Sequence, residues 1–164
     1  MSLELETLIN SGVKGLAAYE PGKPIEDLER EFGIKDVVKL ASNENPLGPS
    51  PKALKSILKI LSGLHRYPDG NGLRLKESLS QKFRVGIDKF TLGNGSNDII
   101  EFVARCFLTP EDNAIFSKHA FAVYPLVVQA LGAQGIEVPA KDWGHDLERM
   151  LDGVNKKTKI VFMR

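Results

Sequence analysis

From residue 90 onward, short apolar runs alternate with segments of helical period. Residues 90–92, 113–117, 134–138 and 159–163 read as strands. Residues 97–108, 124–131 and 147–153 read as helices, the first with Ile99, Ile100, Val103, Ala104 and Phe107 on one side. Apolar residues three and four apart mark a helix with one buried face, and short bounded apolar runs mark buried strands. Strands joined through helices by short connections form a mostly parallel sheet covered on both sides. The predicted class is α/β, in three α/β/α layers.

Upstream the pattern is less regular. Residues 2–10 predict a short helix carrying Leu3, Leu5, Leu8 and Ile9, and 25–32 a second, stopped by Gly33. Residues 37–41 predict a strand, and 43–50, with two prolines, an ordered loop. Ser50 and Pro51 are the N-cap and first residue of a helix whose Leu54, Ile57, Leu58 and Leu61 share a face, with Lys52, Lys55 and Lys59 off it. Residues 67–72 form a turn cluster. Residues 73–83 follow as a helix with Leu75, Leu79 and Phe83 aligned.

A chain of 164 residues is long enough to bury a core. Formal net charge is +1 and no basic run exceeds two residues, which gives a nucleic-acid partner no support. No apolar run approaches the roughly 20 residues of a membrane helix. Residues 1–6 are acidic and lack the pattern of a signal peptide, so a cytoplasmic protein is expected. The single Cys106 excludes an internal disulfide and is expected in the core.

Gly93-Asn94-Gly95-Ser96-Asn97-Asp98 joins a predicted strand to a predicted helix. Gly93 and Gly95 permit positive φ and close approach of a ligand. The helix leaves the N–H groups near Ser96 and Asn97 without acceptors, and its dipole favours an anion there. A phosphate fits such a point. Locally, a plain glycine turn with Asp98 and Glu101 as a capping-box variant explains the pattern as well. The sequence is neither a Walker loop nor a Rossmann fingerprint.

Asn43-Glu44-Asn45-Pro46-Leu47-Gly48-Pro49 is either a rigid loop touching a polar ligand or a structured connection. Tyr67, within Arg66-Tyr67-Pro68-Asp69, reads alone as a half-buried anchor. Phe121 follows the carboxyl end of the strand 113–117, the side on which open α/β sheets bind ligands. It stacks on a flat ring or starts a helix in the core. His119 has no fixed partner and reads as exposed or capping. No zinc spacing and no Ser-His-Asp arrangement is supported.

Leu40-Ala41-Ser42-Asn43-Glu44-Asn45-Pro46-Leu47-Gly48-Pro49-Ser50, Arg66-Tyr67-Pro68-Asp69-Gly70, the Gly93–Asp98 turn and Phe121-Ala122-Val123-Tyr124-Pro125 occur in that order. Together they resemble the amino-terminal half of the histidinol-phosphate aminotransferase family. Its members are fold-type-I pyridoxal-phosphate enzymes of the aspartate aminotransferase superfamily. The resemblance implies an N-terminal arm and part of the small domain over 1–45. Residues 46–164 are then the first part of the large, pyridoxal-phosphate-binding domain, truncated. Gly95, Ser96 and Asn97 would hold the cofactor phosphate and Phe121 would stack on its pyridine ring. Tyr67 would reach across a homodimer interface to the partner's cofactor, and Asn45 would help close the substrate site.

The implied reaction moves an amino group between histidinol phosphate and 2-oxoglutarate, giving glutamate, in histidine biosynthesis. Aromatic aminotransferases and a threonine-phosphate decarboxylase share the fold. A non-catalytic phosphate-binding or oligomerisation module is the reading from another class. The family's Asn-Pro-x-x-Pro-Thr-Gly segment, its pyridine-pairing aspartate, its Schiff-base lysine and its substrate-binding arginine are absent. The run 158–164 reads as a strand cut short, so a fragment carrying no catalytic residue is expected. Chain 1–164 alone should show no aminotransferase activity. After incubation with pyridoxal phosphate and gel filtration, it should retain no stoichiometric covalent cofactor absorbance; retention on one lysine contradicts this.

Overall fold

The computed structural model describes residues 7–19 and 22–163. They fall into two compact units, one of residues 22–90 and one of 7–19 with 91–163.

Residues 22–90 hold three helices, α1 (Ile25–Phe32), α2 (Pro51–Ile60) and α3 (Leu73–Phe83). Gly33 ends α1. Pro51 opens α2, where its missing N–H is no loss. Ser50 stands at the N-cap as expected, yet its hydroxyl takes up no helix amide among the described residues. No described residue of this unit is buried, and Leu54, Ile57 and Leu58 of α2 and Leu61 just after it all lie exposed.

Two predicted strands are absent. Residues 37–41 and 90–92 are unpaired stretches, and Val38 and Leu40 are exposed. A strand needs a neighbour for its backbone N–H and C=O groups, and among the described residues none pairs with either stretch. Of the helix expected over 2–10, residues 2–6 lie outside the described residues, and 7–10 contain no α-helix.

The second unit follows the predicted alternation: α4 (Ser96–Phe107), β1 (Asn113–Ser117), α5 (Val123–Ala130), β2 (Gln134–Val138), α6 (Leu147–Asp152) and β3 (Thr158–Phe162). The sheet is parallel, in the order β2-β1-β3. Successive side chains point to opposite faces. On one face, Ala114, Phe116 and Phe162 pack with Ala104, Leu108, Tyr124 and Val128, beneath α4 and α5. On the other, Ile115 packs with Val138 and Met150 of α6. Helices therefore cover both sides, and the three-layer α/β architecture is present. Right-handed crossovers explain why: the connection through α5 steps one way along the sheet and that through α6 steps back past β1.

All five residues of β1 are buried. Its first, Asn113, is 1% exposed. The Asn113 Oδ1 accepts from Thr158 Oγ1 at 2.8 Å, and its Nδ2 donates to Asn155 Oδ1 at 3.1 Å. The Asn113 N–H donates to the Lys157 carbonyl at 2.9 Å. Asn113 faces Thr158 but Ala114 faces Ile160, so a bulge at Lys159 opens β3. Upstream, Asp112 closes the connection from α4, accepting from Thr109 Oγ1 at 2.7 Å and Thr109 N–H at 2.9 Å.

Cys106, expected in the core, is exposed. Ile100, Ala104 and Leu108 recur every four residues on the sheet side, and Cys106 lies about 200° around the helix from Ala104.

Ile115→Ala should therefore cost about 2–5 kcal/mol, because it empties a fully enclosed site between the sheet and α6. Cys106→Ser should stay within about 0.5 kcal/mol. The urea midpoints of the two variants check both.

Candidate functional site at the carboxyl edge of the sheet

β1 delivers the chain into a sharp exit. His119 adopts φ 65°, a left-handed conformation uncommon outside glycine. The Ala120 N–H donates to the Ser117 carbonyl at 3.1 Å and the Tyr124 N–H to the Phe121 carbonyl at 3.0 Å. Phe121 thus stands between β1 and α5, half-buried against the core. Its ring meets Tyr124 nearly perpendicularly, at 5.9 Å and 87°. Tyr124 is stacked on Phe162 at 4.4 Å and 12°. Phe121 also lines an open cleft of about 330 Å³ with Lys118, His119, Trp143 and His145.

The glycine turn lies at the same edge. The five-residue connection between α4 and β1 makes α4 run back along the sheet, so its first residues sit where β1 ends. Gly95 has φ 76° and ψ −174°, a region essentially closed to other residues. At Gly93 a Cβ would lie 2.8 Å from the Asp98 Cβ, so a side chain there would push the helix away.

Asp98 Oδ2 accepts the Asn94 N–H at 2.8 Å, whereas Glu101 pairs with Arg105 at 2.7 Å. The alternative reading, a capping box of Asp98 with Glu101, is therefore not formed. Asp98 folds back on its own turn, since its carboxylate reaches the Asn94 amide first. The exposed Ser96 and Asn97 keep amides that the helix gives no acceptor. Gly95, Ser96 and Asn97 thus stand at the end of α4 that points toward the carboxyl edge, the edge at which Phe121 follows β1.

Asn45 and Tyr67 belong to the other unit. Asn45 spends its side chain on its own loop: Oδ1 accepts from Leu47 N–H at 3.1 Å and Nδ2 donates to the Gly48 carbonyl at 3.0 Å. Tyr67 is 101% exposed, not the half-buried anchor its turn suggested. Asp69 holds that turn, accepting the Leu73 N–H at 2.8 Å and the Asn71 N–H at 3.0 Å. These two bonds, the first above all, hold its carboxyl below the usual value of 3.8.

Sequence reasoning missed Lys118, Trp143 and His145 in the cleft. Trp143 is 93% exposed and its ring lies 6.1 Å from that of His119. The available signal was topological: these residues follow the carboxyl ends of β1 and β2, which meet at one edge of a parallel sheet. Among the described residues, no three His, Cys, Asp or Glu side chains are placed to hold a metal ion.

No family model matches the chain. It is 54% identical over 156 residues, 95% of its length, to histidinol-phosphate aminotransferase 1 of Nitrosococcus oceani. It is 56% identical over 165 residues, 99% of its length, to histidinol-phosphate aminotransferase 2 of Pseudomonas fluorescens. The chain spans 42% and 45% of those relatives' lengths. Over that stretch it is related in sequence to the histidinol-phosphate aminotransferases.

Among solved structures, a histidinol-phosphate aminotransferase from Sinorhizobium meliloti in complex with pyridoxal-5'-phosphate matches with a TM-score of 0.76 and 23% identity, over 89% of this chain and 38% of that one. An aminotransferase from Escherichia coli matches with a TM-score of 0.70 and 18% identity, over 93% and 41%. These likenesses show the fold alone: over the aligned stretch it is that of the fold-type-I aminotransferases.

Because Asp69 is more acidic folded than unfolded, its bonds add stability above the unfolded carboxylate pKa and lose it as pH falls through the lowered folded value. NMR titration of the Asp69 carboxyl should give a midpoint below 3.8. An ordinary midpoint would mean that the turn is not held this way.

Proposed function

We propose that this chain is the cofactor-gripping segment of a pyridoxal-phosphate-dependent histidinol-phosphate aminotransferase. The reading is supported by two features that the fold directs to the same sheet edge. Amides without helix acceptors follow a glycine-only backbone, and an aromatic ring lines a cleft at the carboxyl end of β1. Pyridoxal phosphate has a dianionic handle and a flat ring, and the residues present fit both.

Ser96 and Asn97 hold the phosphate through their N–H groups, with the Ser96 hydroxyl as a further donor, while Gly95, whose own N–H donates to the Gly93 carbonyl at 2.9 Å, supplies the backbone turn that presents them. Phe121 lies against the pyridine ring and fixes its plane. Bound there, the cofactor supplies the electron sink for moving an amino group between histidinol phosphate and 2-oxoglutarate, with glutamate as the other amino acid. The residues of this chain position and hold, and none of its lysines is assigned a catalytic role.

Asn45 stiffens a loop at the substrate side, and Tyr67 reaches the cofactor of a second copy. An exposed phenol on a turn fixed by Asp69 suits such a reach, and the uncovered apolar stripe of α2 suits a homodimer contact. On this reading, residues 1–45 are the N-terminal arm with part of the small domain, and 46–164 begin the large domain. The protein acts in histidine biosynthesis in the cytoplasm.

The full-length protein should transfer the amino group of histidinol phosphate to 2-oxoglutarate and hold pyridoxal phosphate through dialysis. Gly95→Ala should weaken cofactor binding by about ten- to a hundredfold, the worth of one or two charge-assisted hydrogen bonds. Full-length protein that retains no cofactor, or a Gly95→Ala variant that binds it as tightly as wild type, rejects the reading.

A further inference from the structure

Phe121 does not choose its ring plane alone. Its plane stands 87° to that of Tyr124, with the ring centroids 5.9 Å apart. Tyr124 is 6% exposed and lies flat on Phe162, at 4.4 Å and 12°. Phe162 is fixed in turn by its place in β3, opposite Phe116. The three rings form a continuous brace from the sheet to the cleft. Aromatic pairs prefer offset-stacked and edge-to-face arrangements, so each ring restricts the next.

We propose that Tyr124 is a positioning residue for the cofactor. Its ring, backed by Phe162, sets the angle at which Phe121 faces the pyridine ring. This rests on the proposed role of Phe121. The hydroxyl is not what acts, since every contact named is made by the ring. Tyr124 touches neither cofactor nor substrate, and its effect passes entirely through Phe121.

The experiment uses full-length holoenzyme with two readouts: the dissociation constant of pyridoxal phosphate, and the induced circular dichroism of the bound cofactor. Tyr124→Leu removes the ring and should weaken cofactor binding about three- to tenfold while lowering the dichroism. Phe162→Leu should act in the same direction. Tyr124→Phe keeps the ring and should restore both readouts to wild type.

Ile115→Ala supplies the structural control, because it opens a cavity in the core on the other face of the sheet, in a cluster that holds none of the three rings. It should lower the thermal midpoint and leave both cofactor readouts unchanged. The proposal falls if Tyr124→Leu binds as wild type does, if Tyr124→Phe behaves like Tyr124→Leu, or if Ile115→Ala moves the cofactor readouts as far. Phe121→Leu, measured in parallel, separates the failures. If it leaves affinity unchanged, the stacking role itself is wrong and this inference falls with it. If it weakens binding while Tyr124→Leu does not, only the brace is wrong.

Discussion

The pairing of Asn113 with Thr158 decides where everything at the carboxyl edge of the sheet stands. A buried amide cannot be left unpaired without a cost of about 1–3 kcal/mol. Asn113 meets that demand with Thr158 and Asn155, both close to or at the start of β3. The bulge at Lys159 then advances β3 by one residue against β1. As a result Ile160 pairs with Ala114 and Phe162 with Phe116, on the α4 and α5 side. A slip of one residue would turn Phe162 to the opposite face, and Tyr124 would lose the ring it lies on.

The polar knot at one end of the sheet thus governs the aromatic geometry at the other. Between them β1 works as a rigid rod, buried along its whole length. The glycine turn is placed by a separate route. The short connection closed by Asp112 sends α4 back along the sheet, and Asp98 ties the turn's inner side. Two independent constraints therefore converge on one edge, as a site with a precise geometry requires.

Much of this was legible in the sequence. β1, β2 and α3 lie where periodicity puts them, although only β1 is buried along its length and α3 has no buried residue, because apolar spacing marks an element whether or not its face is covered. The stretches 37–41 and 90–92 mislead for a physical reason: strand character belongs to a pair, and Val38 and Leu40 show only half of it. Cys106 misleads because an apolar neighbourhood in sequence spans every side of a helix. The Asp98 turn was ambiguous, since the same carboxylate can cap a helix amide or fold back to Asn94, and distance alone decides. Phe121 could not be told from a core residue because it serves both purposes, packing inward on one side and lining the cleft on the other.

The separation of Asn113 from Thr158 also orders events in time. They are 45 residues apart, whereas β1 meets β2 much sooner along the chain, with Asn113 opposite Gln134. As the chain leaves the ribosome, β1 can pair with β2 and fold α5 over itself while β3 is still unmade. Throughout that interval Asn113 lacks its partners, and Tyr124 lacks the ring it will rest on. The carboxyl edge therefore takes its folded shape only once residues 155–162 have joined the sheet.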